Sequence, residues 1–118
     1  MIKNFAEAHE EVQLNIIRDL CRIPAPSHDE GRRAEYCKAY FESFGAEGVY
    51  IDGVKNVIFP LNCEGSDEIT VIAAHTDTVF PDTVCYPEFH EDDERIYCPG
   101  IGDDTANVTV LLLAAKFM

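Results

Sequence analysis

A chain of 118 residues, 47% apolar and 26% charged, has room for one folded core and too much apolar content for a disordered segment. Its formal net charge of −13 is unevenly placed: residues 1–60 hold seven Lys/Arg against ten Asp/Glu, residues 61–118 two against twelve. That acidic second half repels phosphate backbones and anionic lipid heads, which argues against nucleic acid and membrane surfaces as partners and favours cations.

Phe5, Ala8, Val12, Ile16 and Leu20 recur at three- and four-residue steps, which predicts a helix over 5–22 stopped by Pro24. Ser27 and Glu30 have capping-box spacing, and Ala34, Cys37, Phe41 and Phe44 form a second stripe ended by Gly45, so a second helix is predicted over 28–44. The β-favouring runs 49–51 and 56–59 flank Asp52-Gly53, a dipeptide suited to the positive φ angles of a tight hairpin. Residues 69–74 are apolar at nearly every position and predict a central strand buried on both faces. A loop over 81–87 and a hairpin over 89–98, with its acidic tip at 91–94, come next. A last helix is predicted to begin near Asp104 or Thr105 and run to Ala115.

Apolar residues ring that last helix almost completely, the pattern of a helix buried on all sides. The expected fold is therefore α/β: two N-terminal helices, a mixed β-sheet and a buried C-terminal helix. The chain stops at Met118 without a C-cap or a following strand, which points to the N-terminal portion of a longer domain. The alternative is a small domain that covers the helix by self-association.

Five cysteines, Cys21, Cys37, Cys63, Cys85 and Cys98, are odd in number and lack a CxxC spacing, and the chain has no signal peptide. Reduced, buried thiols in the cytoplasm fit this pattern. The apolar run 108–115 is shorter than the ~20 residues of a membrane span.

Two stretches can carry chemistry. The predicted central strand ends in AHTDTVFP (74–81), and strand alternation puts His75 and Asp77 on one face, beyond the carboxyl end of a strand where open α/β sheets place ligands. An imidazole is a natural zinc ligand and a carboxylate behind it fixes its tautomer; a strand-end His beside a turn-forming Asp is the plainer alternative. Twenty-six residues after Asp77, PGIGDDTANV (99–108) sets adjacent carboxylates at the start of a helix. Ordinary capping by Asp104 or Thr105 is one reading, and a carboxylate bridge between two cations is another. Phosphate binding by the glycines is disfavoured by the acidic pair.

The two motifs at this separation resemble the dinuclear zinc exopeptidase family that includes peptidase T, aminoacylase and bacterial glutamate carboxypeptidase (metallopeptidase family twenty). Similarity extends to the two opening helices, the IPAPS turn at 23–27 and the strand pair. The resemblance implies that His75 ligates one zinc, that Asp77 supports it from behind, and that Asp103 bridges two metals and precedes a cis peptide. It implies two zinc ions per complete site, with cobalt or manganese as substitutes, and hydrolysis of amide bonds in small peptides or N-acyl amino acids. Relatives usually carry Lys where this chain has Thr105 and Gly where it has Ala106. The family's Glu-Glu pair, further acidic ligand and distant His have no counterpart among these residues, so an isolated chain is expected to be inactive. His9, His28 and His90 are read as surface residues. Two other readings stay open: a non-enzymatic α/β interaction module that docks through its last helix, and a metallophosphoesterase, for which only one usable His is present.

Overall fold

The computed structural model describes residues 1–80 and 89–118; the loop predicted at 81–87, with Cys85, lies outside the described residues. In chain order the elements are α1 (Ile2–Ala8), α2 (Glu10–Cys21), α3 (Gly31–Ser43), β1 (Tyr50–Ile51), β2 (Val57–Ile58), β3 (His90–Glu91), β4 (Ile96–Tyr97) and α4 (Ala106–Phe117). The described residues form a compact mixed α/β fold, with four helices and two small antiparallel sheets among them.

The first predicted helix is broken at His9, whose φ of −113° leaves the helical range. The His9 ring stacks on Phe5 with centroids 4.0 Å apart, and its Nδ1 lies 2.8 Å from the Phe5 carbonyl, so a side chain meets the carbonyl that the helix would otherwise use. The apolar stripes of α2 and α3 then meet α4. Ile16, Leu20, Cys37, Phe41, Val108, Leu112 and Leu113 form one buried cluster with Val49 from the edge of β1. Leu20 is fully buried and Leu112 nearly so.

The capping box does not form. Glu30 occupies the position before α3, and its carboxylate accepts the His28 backbone N–H at 2.6 Å, while the Ser27 hydroxyl turns to Asp77. His28, expected in the first turn of that helix, lies ahead of it at a positive φ of 73°.

β1 and β2 pair antiparallel with Tyr50 opposite Ile58 and Ile51 opposite Val57, as the sequence predicts. Their connection differs in detail, because the positive φ falls on Lys55 rather than on Gly53. Asp52 Oδ1 accepts the backbone N–H groups of both Val54 and Asn56, and this side-chain scaffold takes the place of a two-residue turn. β3 and β4 form the second predicted hairpin, with His90 opposite Tyr97 and Glu91 opposite Ile96. Arg18 on α2 holds this ribbon through a two-pronged contact with Glu91.

Two expectations are overturned. Residues 69–74 form no strand, and Ile69, Val71 and Ile72 are 63%, 76% and 68% exposed. Among the described residues no strand lies alongside them, and an extended backbone becomes a sheet only where a neighbour accepts its hydrogen bonds. The expected single mixed sheet is thus two separate ribbons, and the only parallel pairing described is an isolated bridge between Pro26 and Thr78. Nor is α4 buried all round: Val108, Thr109, Leu112 and Leu113 face the core, while Val110 and Phe117 are exposed. The thiols divide as well, with Cys21 and Cys37 buried, Cys98 half-buried and Cys63 exposed, all free. Among the described residues no helix is long and apolar enough to cross a membrane.

Candidate metal centre

The run 69–77 has no regular structure, and its described hydrogen bonds begin where it reaches the helices. Thr78 donates its backbone N–H to the Ala25 carbonyl at 2.7 Å, which fixes the chain just past His75 and Asp77 beside the turn that leaves α2. On the other side, Cys98 and the turn Ile101–Thr105 lead into α4. Gly100 makes that approach possible: its φ is 75°, and a Cβ there would stand 2.6 Å from Thr78 Cγ2, so an L side chain would meet strain and collision together.

These two stretches bring the predicted residues into contact. His75 Nε2 lies 2.9 Å from Asp103 Oδ1. On the opposite ring nitrogen, Nδ1 lies 3.1 Å from both the Asp77 carbonyl and Asp77 Oδ1. Asp104 Oδ2 accepts the His75 backbone N–H at 3.3 Å, and the Asp103-Asp104 peptide is cis, as the resemblance implies. A cleft of about 340 Å³ opens here, its lining including His75, Asp77, Asp103, Phe80 and Cys98.

Carboxylate and carbonyl oxygens face both ring nitrogens, so the ring donates from both in this arrangement. Partial desolvation is the largest single influence on His75 and disfavours its charged form. The Asp103 hydrogen bond, the Asp77 carbonyl and the charges of Asp77 and Asp104 together outweigh it and lift the imidazole above its ordinary pKa. Asp77 moves the other way: the Ser27 hydroxyl, the largest influence, together with the charge of His75, holds its carboxyl below the usual range against the opposing effect of burial.

The donor chemistry fits part of a metal site. Two donors sharing one zinc ion, each at about 2.0–2.2 Å, stand roughly 3–3.5 Å apart, close to the separation of Nε2 and Oδ1. Three donors do not converge: among the described residues no group of three or more His, Cys, Asp or Glu side chains could hold a metal ion. The reason is the ring itself, which sets Asp77 and Asp103 at its two opposite nitrogens. His9, His28 and His90 take no part; His90 stacks on Tyr97 at 4.2 Å.

Cys98 as a wall of this cleft and Ser27 as the group behind Asp77 are not legible in the sequence. Ser27 lies 50 residues from the carboxylate it bonds, and its capping-box spacing points elsewhere. No family model matches this chain, and no curated protein matches it.

Proposed function

We propose that this chain contributes to a metal-dependent hydrolase of the two-zinc exopeptidase type, acting on amide bonds of small peptides or N-acyl amino acids. One observation carries the reading: an imidazole and an exposed carboxylate meet at 2.9 Å in a cleft, with a second carboxylate behind the imidazole. His75 and Asp103 would hold the cation. Bound zinc supplies Lewis-acid polarisation of the scissile carbonyl.

The chain's own residues prepare the donors. Ser27 donates to Asp77, and Asp77 in turn accepts from Nδ1–H, so Nε2 keeps its lone pair for the cleft once its proton leaves. Cation and proton compete for that lone pair, and the acidic surroundings favour whichever positive charge is present. Asp103 meets His75 through one oxygen only and has a second with which to reach a neighbouring cation.

Two protein donors leave the other coordination positions to water or to groups outside these 118 residues, so the chain alone is expected to bind zinc weakly and to turn over nothing. The test is hydrolysis of di- and tripeptides and N-acyl amino acids, with added zinc, by the natural reading frame in which the chain occurs. His75→Ala and Asp103→Asn should each abolish turnover in a folded protein. Turnover that survives both substitutions would refute the hydrolase reading.

A non-enzymatic interaction module is the second reading, favoured by the exposed apolar side chains of Ile69, Val71 and Ile72. It predicts that both substitutions leave behaviour unchanged, whereas Val71→Asp abolishes association.

A further inference from the structure

The geometry points to Arg33 as the residue that positions His75 against Asp103, an inference that takes its purpose, though not its geometry, from the metal-centre reading. Arg33 lies in the first turn of α3 and is 1% exposed, an unusual burial for a guanidinium. Its Nε donates to the Ile23 carbonyl and its Nη2 to the Leu20 carbonyl, both at 2.9 Å. These carbonyls end α2 and follow it, where the helix presents its negative pole and welcomes a cation.

Two further contacts reach the site. Nη1 donates to the Thr76 carbonyl at 3.0 Å and to Thr105 Oγ1 at 3.1 Å. Thr76 stands between His75 and Asp77, and Thr105 directly follows the Asp103-Asp104 pair. One nitrogen therefore ties together the two stretches that carry the candidate ligands, while the other two fasten them to α2. Thr105 is itself buried, and its carbonyl accepts the Thr109 hydroxyl at 3.0 Å, which extends the link into α4.

Among the described residues no strand pairs with 69–74, and the contacts that hold His75 in place lie at its own end of the segment, at Thr76, Asp77 and Thr78. A planar guanidinium offers five donors in a fixed fork and here serves the acceptors of Leu20, Ile23, Thr76 and Thr105 together; an ammonium offers three from a single point. Arg33 is thus a positioning residue that acts through Thr76 and Thr105.

The experiment uses the full chain with 15N-labelled histidine. Thr105→Val keeps the side-chain shape and deletes the acceptor, Arg33→Lys keeps the charge and deletes the fork, and Thr105→Ser restores the hydroxyl. With far-UV circular dichroism unchanged, Thr105→Val and Arg33→Lys should move the His75 Nε2 resonance toward its position in Asp103→Asn, and Thr105→Ser should return it. Zinc affinity should fall roughly tenfold or more in the first two variants, the usual consequence of losing a group that orients a ligand. Should Arg33→Lys fail to fold, the two Thr105 variants decide. A folded Thr105→Val protein with the wild-type His75 resonance would overturn the inference. Absence of zinc binding by the wild type would remove the metal-centre reading instead, and the resonance would still test the clamp.

Discussion

The helices around Leu20, Phe41 and Leu112 and the run at 69–73 are both rich in apolar residues, yet one is locked into a core and the other lies exposed. The difference is where each finds its hydrogen bonds. A helix satisfies its own backbone and needs only one apolar face against a neighbour, whereas a strand must borrow its partners from another segment. The candidate site straddles the two regimes. Asp103 precedes the well-packed α4, His75 follows a run that no described strand pairs with, and the described links between them are made by side chains.

The largest effect that would sharpen this contrast is in the core. Leu20→Ala should lower the unfolding free energy by about 2–5 kcal/mol in urea titration, because a fully buried Leu leaves a cavity that its neighbours fill only in part. A loss well under 1 kcal/mol would mean that the helices are not the stable half of the molecule.

Next in size is the joint between the regions. Asp103→Asn should weaken zinc binding by more than tenfold, about 1.4 kcal/mol, while the melting temperature holds, since Asp103 contributes to the cleft and not to the core. Calorimetric titration reads the first quantity and thermal denaturation the second; a parallel fall in both would assign Asp103 a structural role.

A smaller effect follows from Ser27. Because Asp77 titrates below its ordinary value of ~3.9, its stabilising contribution is complete above that pH and fades as pH falls through the lowered value. Ser27→Ala removes the foremost cause, so the Asp77 carboxyl should titrate closer to ~3.9 and the acid-side loss should begin at higher pH. A carboxyl 13C titration that leaves Asp77 unmoved would contradict this.

The smallest effect belongs to the exposed run. Val71→Thr should change stability by no more than about 0.5 kcal/mol, the range of ordinary surface substitutions, since Val71 is three-quarters exposed. A loss of 2 kcal/mol would mean that residues 69–74 are packed after all.

What could be read from the sequence follows the same division. The stripes Ile16/Leu20 and Cys37/Phe41 carry their periodicity within one segment, and they gave the helical faces that do pack. Both hairpins were legible from short-range signals, although the Asp52 side chain moved the positive φ to Lys55. The run 69–74 misled because apolar content states a preference for burial and does not name a partner. His75 and Asp77 do meet, but not by the strand alternation expected of them, since no strand is described there, and their meeting with Asp103 is what the resemblance implies rather than any local rule. The roles of Ser27 and Arg33 at the site are not legible locally, because Asp77 lies 50 residues from Ser27, and Thr76 and Thr105 lie 43 and 72 residues from Arg33. For Arg33 a signal existed: it stands four residues before Cys37, on the stripe that faces the core.

X-ray absorption at the zinc edge of the metal-loaded protein tests most directly whether His75 and Asp103 share a cation. A shared site predicts imidazole scattering in the wild type that disappears in His75→Ala, and a lighter oxygen contribution in Asp103→Asn. Spectra that are the same in all three proteins would contradict it.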